Sequence, residues 1–386
     1  MKKIMFVQNE GNVVGGVWYV NKTLAEEFVE KGYDVHIISI RSGGDKVECD
    51  SRIKTSFVNN YMSWNLVRKK DVIKPILKFN FISFFKKFFD YFYSKYILKK
   101  DYKKMKKIIL NENPDYIIAS QYQVLKGIPK AFLKKTVYEH HNSFDSFKRD
   151  KDNYKVLKKN NNKIFGFIWL SEAALNKANN DGFRNNFCIY NPVRFVTKNR
   201  ADVKKNKKLV VISRIENFQK RINLMVRIVN NIFTNKKYKD WNFEIYGVGD
   251  FDKETLKTIK KNSQIIYKES TNDPMNVLLN SSINLNTSLF EGFSLSILEA
   301  SMCGVPTITF NHGEAVYEEV LDAKTGFVVC QDDIDNFISK LEFLMSNENK
   351  LDNFSKNAKE YANKFLVSNI TNNWIKLFEK IDKESL

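Results

Sequence analysis

The most constraining feature of this sequence is the alternation of short apolar runs with longer amphipathic stretches along nearly its whole length. Such runs are typical of buried parallel strands, and the stretches between them have the periodicity of helices. The candidate strands of the first half are residues 3–7, 35–40, 116–120, 136–139, 164–170 and 187–190. Those of the second half are residues 208–213, 242–246, 263–267, 283–287, 307–310 and 326–329. The pattern predicts an α/β fold built from βαβ units.

The length of 386 residues predicts two domains, because single cores rarely grow beyond about 250–300 residues. The sequence Asn191-Pro192-Val193 and the polar residues 198–207 mark the boundary between them. Helices are predicted at residues 17–31 and 222–233 and within residues 347–386. We therefore expect two Rossmann-like, doubly wound domains that face each other across a cleft, formed by residues 1–195 and 196–365.

The composition is that of a folded protein with a strongly basic surface. Hydrophobic residues make up 43%, and the net charge of +19 would suit nucleic acid, anionic lipid or phosphorylated small molecules. Four cysteines lie far apart without a CxxC pair, which disfavours a zinc site and fits a reducing cytosol. The first apolar run ends at Gln8, too early for a signal peptide, and we expect no membrane-spanning helix.

The most specific motif covers residues 288–300, with the sequence SLFEGFSLSILEA. A strand is predicted to end near Ser288, a turn containing Gly292 follows, and a helix is predicted from Ser294 to Gly304. Free amides at such a helix start bind phosphate without any side chain, and Gly292 lets the backbone approach closely. The predicted phosphate-binding amides belong to Phe293, Ser294 and Leu295.

Two carboxylates accompany this helix start. Glu291 lies on the turn and Glu299 lies within the helix. They can accept hydrogen bonds from a sugar ring and from a ribose on either side of a diphosphate. Their spacing alone is also typical of a surface loop followed by an ordinary helix, but the strand–turn–helix context favours a binding site.

Two basic residues, Arg214 and Lys220, follow the strand that opens the second domain. A diphosphate gains negative charge when its bond to a sugar breaks, and fixed cations stabilise that charge. The guanidinium fork suits phosphate oxygens, and the ammonium acts as a point charge. We predict that both residues hold a diphosphate; solvated basic residues in a basic protein are the alternative.

These motifs resemble those of the family 4 glycosyltransferases, and the resemblance extends over most of the chain. Glu291 and Glu299 match the family's E-x7-E pair, in which the first Glu lies beside the donor sugar and the second holds the nucleotide ribose. The segments CGVPTIT at residues 303–309 and GFVV at residues 326–329 also match. Arg214 and Lys220 match the family's basic pair, although the family commonly has Gly where this chain has Ser213 and Arg221.

Glycines in two further turns resemble donor-binding elements of the family. Gly15 and Gly16 resemble its N-terminal Gly-Gly loop, which opens a helix under the diphosphate and the acceptor. Gly247, in the sequence YGVGD, resembles the glycine of its turn beside the nucleotide. A tight turn selected only for compactness is the alternative at each position.

Two adjacent histidines, His140 and His141, end a predicted strand of the first domain. Adjacent residues of a strand point to opposite sides, so one can face the cleft while the other packs. The family often has a His here that contacts the donor sugar. We assign His140 this role and keep His141 as a possible additional sugar contact; a purely structural His pair is the alternative.

The resemblance implies the GT-B fold, with a C-terminal helix of residues 366–386 packing back on the first domain. It implies a retaining hexosyl transfer from a nucleotide sugar, for which we favour UDP, to a hydroxyl group. No Asp-x-Asp motif occurs, so we expect neither a metal ion nor another cofactor. A nucleotide-sugar epimerase of the same fold and a non-catalytic partner subunit are the alternatives.

Much of the basic excess lies between Arg68 and Lys107, where aromatic residues separate lysine clusters. As a helix, residues 79–107 would carry a broad aromatic face and a basic face, which is typical of a helix at an anionic membrane surface. A core-packed helix is the alternative, and nucleic acid is disfavoured because no recognised module accompanies the segment. We expect a cytoplasmic enzyme, peripheral on the inner face of the cell membrane, whose acceptor is a lipid-linked intermediate of surface polysaccharide or glycolipid synthesis.

Overall fold

The computed structural model describes residues 1–13, 15–44, 48–59 and 81–385, with the side chains of residues 81–86 and 385 left out. Two parallel sheets organise these residues. The first is seven-stranded, in the order β3-β2-β1-β4-β5-β6-β7. Its strands are β1 (Lys3–Gly11), β2 (Asp34–Ser42), β3 (Lys54–Asn59), β4 (Tyr116–Ala119), β5 (Thr136–Glu139), β6 (Gly166–Trp169) and β7 (Asn186–Cys188).

The second sheet is six-stranded, in the order β10-β9-β8-β11-β12-β13. Its strands are β8 (Lys208–Ile212), β9 (Asn242–Tyr246), β10 (Ile265–Lys268), β11 (Ile283–Asn286), β12 (Thr307–Phe310) and β13 (Gly326–Val329). In both sheets the strand order reverses beside the first strand, between β1 and β4 and between β8 and β11. Ligands of open parallel sheets bind in the crevice at this reversal, beyond the carboxyl ends of the strands.

Helices cover both faces of each sheet. They are α1 (Gly16–Glu30), α2 (Phe81–Glu112), α3 (Phe144–Arg149), α4 (Lys151–Asn160), α5 (Glu172–Asn180), α6 (Val203–Asn206), α7 (Ile222–Ile232), α8 (Lys253–Lys261), α9 (Pro274–Leu279), α10 (Leu295–Met302), α11 (Val316–Glu319), α12 (Ile334–Ser346), α13 (Glu348–Tyr361) and α14 (Val367–Ser385). Short 3-10 helices occupy Val124–Gly127, Lys130–Lys135, Lys236–Tyr238 and Ala362–Phe365. Within the described residues, none of these helices has both the length and the apolar composition that a membrane span requires.

Strand β1 shows why both faces of the first sheet need a cover. Met5 and Val7 belong to the apolar cluster on one face, whereas Ile4 and Phe6 belong to the cluster on the other. The last helix, α14, completes the second of these clusters. Its Phe378 ring stacks on Tyr116 of β4, with the ring centroids 4.2 Å apart. The C-terminal helix is thereby packed against the seven-stranded sheet of the N-terminal half.

The predicted fold class, two doubly wound α/β units, is confirmed. The predicted strands all occur, with ends that differ by at most four residues; β5, β9, β12 and β13 have the predicted bounds. Strand β3 was not predicted. It lies at the edge of the first sheet, where Lys54 and Thr55 are exposed, and so it lacks the apolar run that marks the buried strands.

Candidate active site

Segments that follow strands of the two sheets approach each other, and glycines allow them to come close. A Cβ added to Gly292 would lie 2.2 Å from the carbonyl oxygen of His141, so a side chain there would separate the two halves. Beside this contact, a Cβ at Gly16 would lie 3.9 Å from Cδ1 of Leu295. The glycine-rich start of α1 therefore faces the start of α10 across the cleft. A glycine at position 292 is therefore needed for a second purpose, which is close packing against the first half of the chain.

Lys220 and Glu291 form an ion pair at this cleft, with the ammonium donating to Oε1 of the carboxylate. Gln219 lies beside them: its amide donates to the carbonyl oxygen of Phe290 at 3.0 Å, and its side-chain oxygen accepts from Arg214 at 3.2 Å. Burial alone would raise the pKa of Glu291, but the charge and hydrogen bond of Lys220 hold it below its ordinary value. Three of the predicted site residues are thus brought together, with Gln219 as an unpredicted link.

The loop that carries Lys220 is folded by its own residues. The Glu216 carboxylate accepts from the amides of Gln219, at 2.9 Å, and of Lys220, at 2.6 Å. Arg221 follows in the left-handed conformation, with φ of 56°, which is the conformation that glycine adopts most easily. Its guanidinium donates to Gln331 at 2.8 Å and also pairs with Asp332. The backbone at position 221 therefore has the conformation that favours glycine, although the residue there is an arginine.

Gly247 packs against the backbone of the loop that carries Arg214. Its φ is 157°, and an added Cβ would lie 1.8 Å from the carbonyl oxygen of Ser213. The following Val248 accepts a hydrogen bond from the amide of Ile215 at 2.8 Å. The turn after β9 thus packs directly on the backbone around Arg214.

The start of α10 differs in one respect from the prediction. The helix begins at Leu295, and the amide of Ser294 donates to Oε1 of Glu319 at 2.9 Å. The expectation that the Ser294 amide binds phosphate is therefore wrong, because a buried carboxylate already occupies this donor. Among the described residues, the amides of Leu295 and Ser296 have no acceptor, so the free donors at this helix start lie one residue further on than predicted.

Glu319 belongs to a buried pair that the sequence analysis missed. Nε2 of His312 lies 3.2 Å from Oε2 of Glu319, and both side chains are fully buried. Burial alone would lower the pKa of His312, but the Glu319 carboxylate raises it above its ordinary value. The amide of Glu291 donates to the carbonyl oxygen of His312 at 3.2 Å, so the pair supports the turn that carries Glu291. The sequence feature that could have revealed this pair is the polar residue just beyond strand β12, because polar residues also follow the end of strand β5.

Glu299 is 2% exposed and is held by Arg194, a residue outside every predicted motif. The guanidinium binds both carboxylate oxygens, with Nη2 2.7 Å from Oε2. It also lies over the ring of Tyr19 in the first turn of α1, 4.3 Å from the ring centroid. Burial alone would lower the pKa of Arg194, but the charge of Glu299 outweighs this effect and raises it.

The two histidines differ in their surroundings, and His140, which was assigned to the donor sugar, is the more deeply buried of the two. His140 is 2% exposed, with its ring centroid 4.8 Å from that of Phe147 and 5.4 Å from that of Trp169. Burial, with a smaller contribution from His141, lowers the pKa of His140 to about 3. His141 lies at the contact with Gly292, and its Nε2 is 3.3 Å from Oε2 of Glu139. His140 is therefore a core residue, whereas the backbone of His141 lies at the contact with Gly292.

The predicted role of Phe293 concerns its backbone amide, whereas its ring belongs to the core. Its ring is 5% exposed and packs against Tyr190 and Phe365 at centroid distances of 5.3 and 5.4 Å. Its carbonyl oxygen accepts from the Asn191 amide at 3.1 Å, which ties the helix start to the segment between the sheets. Over the described ranges, no group of three His, Cys, Asp or Glu side chains is arranged to hold a metal ion.

Comparisons with known proteins agree with this architecture. Residues 195–361 match the family model for glycosyl transferases group 1. An uncharacterized glycosyltransferase of Haemophilus influenzae is 25% identical over 392 residues, which cover 97% of this chain and 99% of the relative. A poly(ribitol-phosphate) alpha-N-acetylglucosaminyltransferase of Staphylococcus aureus is 29% identical over 62% of this chain but only 49% of the relative.

Among solved structures, TarM superposes with a TM-score of 0.75 at 18% identity, covering 98% of this chain and 99% of TarM. A TM-score of 0.72 at 17% identity is obtained with a mutant of S. aureus TarM in complex with Fondaparinux, alpha-GlcNAc-glycerol and UDP. This superposition covers 98% of this chain and 100% of the mutant chain. The two sheets and these structural neighbours identify the fold as GT-B. With the matched family model and the relatives, they show that the chain is an enzyme, a glycosyltransferase.

Proposed function

We propose that this glycosyltransferase moves a hexosyl group from a UDP-linked sugar to a hydroxyl group of a glycan, with retention at the anomeric carbon. The observation that carries the proposal is the arrangement of Arg214, Lys220, Glu291 and Glu299 around the cleft and helix α10, which begins at Leu295. UDP is present in the TarM complex, which supports a uridine nucleotide as the first donor to test. Retention and the hexosyl donor follow from the resemblance to the family 4 glycosyltransferases.

In this proposal the diphosphate lies between the basic loop and the start of α10. Arg214 and Lys220 come from the loop after β8, and the amides of Leu295 and Ser296 come from the helix. A helix start carries a partial positive charge, so all four groups favour an anion in the space between them. When the bond from the sugar to the diphosphate breaks, they stabilise the charge that develops on the leaving oxygen.

The two carboxylates flank the diphosphate. Glu291 contacts the donor sugar, and Glu299 accepts hydrogen bonds from the ribose. We assign the sugar contact from the first domain to His141 instead of His140, because His140 is enclosed by aromatic rings whereas the backbone of His141 contacts Gly292 at the cleft. Gly15 and Gly16 lie on the opposite side of the cleft, where Gly16 approaches Leu295.

Charge stabilisation, rather than a covalent glycosyl-enzyme intermediate, suits the site. The Glu291 carboxylate is paired with Lys220, and this pairing lowers its reactivity as a nucleophile. A leaving phosphate oxygen can itself take the proton of the acceptor hydroxyl while the acceptor oxygen bonds to the anomeric carbon. The donor's carbon–oxygen bond breaks with its electron pair going to the diphosphate.

The test is a panel of UDP- and GDP-sugars in thermal unfolding, because a ligand stabilises the folded state in proportion to ln(1 + [L]/Kd). The donor that stabilises the enzyme is then incubated with glycan acceptors, and each acceptor is weighed by mass spectrometry. A gain of one hexosyl mass supports the proposal. Conversion of the donor without any change in acceptor mass would indicate an epimerase, and the absence of stabilisation by every nucleotide sugar would remove the donor site.

We further propose that the acceptor is lipid-linked and that the enzyme works at the inner face of the cell membrane. Helix α2 supports this location. Its later part packs on the first sheet through Met105 and Ile109, whereas the preceding turns carry exposed aromatic residues. These are Phe88, Phe89, Phe92, Tyr93 and Tyr96.

The aromatic face of α2 is therefore exposed where the helix is described, unlike that of a core-packed helix. Lys95, Lys99 and Lys100 are exposed on the same stretch, so apolar and cationic groups are presented together. Anionic headgroups and the apolar boundary of a membrane would bind both kinds of group. The predicted segment begins at Phe79; residues 79 and 80, the side chains of residues 81–86 and the cluster Arg68-Lys69-Lys70 lie outside the described residues.

A further inference from the structure

Arg194 lies between two elements that the proposed function places around the nucleotide. It follows β7 on the segment that joins the two sheets, and it binds both carboxylate oxygens of Glu299 in α10. Its guanidinium also contacts Tyr19, whose amide donates to the carbonyl oxygen of Gly15 at 3.1 Å. One arginine thus joins the glycine-rich start of α1 to the carboxylate proposed to bind the ribose.

The ion pair has a defined effect on Glu299. At 2% exposure, an unpaired carboxylate would be strongly disfavoured, because burial penalises the charged form. The arginine fork compensates the buried charge and fixes the orientation of the carboxylate plane. A carboxylate has about four acceptor positions, and a bidentate arginine occupies two of them. Two acceptor positions remain for the neighbouring hydroxyls of a ribose.

We propose that Arg194 is a positioning residue that holds the Glu299 carboxylate in the orientation in which it meets the ribose, and thereby makes the site selective for ribonucleoside diphosphates. This inference rests on the proposed function, which places the nucleotide ribose at Glu299. Arg194 itself touches no reacting atom. Its contribution is therefore expected in nucleotide affinity and in discrimination at the ribose, and not in the chemical step.

The experiment is calorimetric titration of UDP and of 2′-deoxy-UDP into the full chain. The wild type is expected to bind UDP more tightly, because the deoxy compound leaves one acceptor position of Glu299 unpaired. The variant Arg194→Gln should lose about tenfold in UDP affinity, the size of one charged hydrogen bond, and should lose much less affinity for 2′-deoxy-UDP. The ratio of its affinity for UDP to its affinity for 2′-deoxy-UDP should therefore be smaller than that of the wild type.

Two further variants and a control make the result specific. Arg194→Lys keeps the positive charge but not the fork, so it should fold as the wild type does and still show a reduced preference. In a Glu299→Gln background, Arg194→Gln should not change the preference any further. Arg200→Gln is the matched control, because Arg200 lies on the same segment but pairs with Asp352 at 2.8 Å. This control should bind both nucleotides as the wild type does.

The outcomes separate the two proposals. If Glu299→Gln binds UDP as tightly as the wild type, the ribose assignment in the proposed function fails. If Glu299→Gln weakens binding while both Arg194 variants keep the wild-type preference, only the role of Arg194 is overturned. Tighter UDP binding by Arg194→Gln would also overturn it, since Arg194 would then be a competitor of the ribose.

Discussion

The ammonium group of Lys220 is paired with the carboxylate of Glu291, a residue 71 positions further along the chain. The sequence motifs assign the first to a diphosphate and the second to a donor sugar, and the fold brings both to one side of the cleft. Each charge is therefore compensated before any substrate is present. A diphosphate that enters the site would share Lys220 with Glu291, so the two proposed binding functions are coupled through one salt bridge.

We expect Lys220→Ala and Arg214→Ala each to reduce turnover by about two orders of magnitude, the effect of removing one group that stabilises developing charge. Steady-state kinetics with the donor identified by thermal unfolding measure this. Lys204→Ala, an exposed lysine of α6, is the control and should retain full activity. Wild-type kinetics in both site variants would remove the diphosphate assignment.

The same salt bridge predicts a pH dependence of stability. Because Lys220 lowers the pKa of Glu291 in the folded state, the pair contributes stability above the ordinary glutamate pKa, and this is lost as pH falls through the lowered value. In Lys220→Met, burial is opposed only by the smaller effects of His312 and Ser288, so the pKa of Glu291 rises and the variant is destabilised at neutral pH. The difference in unfolding free energy between wild type and variant should therefore shrink as pH falls from about 7 to about 4.

Denaturant unfolding at several pH values measures this difference. The double variant Lys220→Met/Glu291→Gln removes the titrating carboxyl and is the control. Its stability relative to Glu291→Gln should change much less over this pH range, because only the small effect of Lys220 on the pKa of His312 remains. A difference between the wild type and Lys220→Met that stays constant with pH would show that the ion pair does not govern the titration of Glu291.

Gly247→Ala should destabilise the protein by more than about 2 kcal/mol, because both the backbone conformation and a contact with the Ser213 carbonyl oxygen exclude a Cβ. Gly32→Ala separates these two causes. Gly32 has φ of 83° but no atom within 4 Å of an added Cβ, so it should lose only about 1 kcal/mol. Equal losses in the two variants, measured by denaturant unfolding, would contradict the packing of this turn against the Arg214 loop.

The sequence predicts the architecture well because buried parallel strands are continuous apolar runs, and β5, β9, β12 and β13 needed no adjustment. It predicts less of the site, because several contacts there join distant residues. The Ser294 amide is bound by Glu319, 25 positions away, and Arg194 is one arginine in a basic chain until the fold places it on Glu299. Alternation along a strand showed that one of two histidines packs, but only the surrounding rings show that it is His140.

The last prediction concerns helix α2 and the membrane. Lysines near an anionic surface contribute about 1 kcal/mol each, and this term is screened by salt. The exposed aromatic rings, of which Phe89 is 69% exposed, add an apolar term that salt does not screen. Binding to vesicles, measured by co-sedimentation, should therefore increase with the fraction of anionic lipid and should weaken without vanishing at high salt.

Charge reversal distinguishes this surface from general basicity. Changing Lys95, Lys99 and Lys100 to Glu should release the protein from vesicles, while activity on a soluble acceptor analogue stays at the wild-type level. The matched control changes three exposed lysines of α8, Lys257, Lys260 and Lys261, to Glu, because it alters the net charge equally. If both triple variants lose binding to the same extent, the net charge and not α2 determines the attachment. If the unmodified protein ignores anionic vesicles at low salt, the lipid-linked acceptor loses its main support.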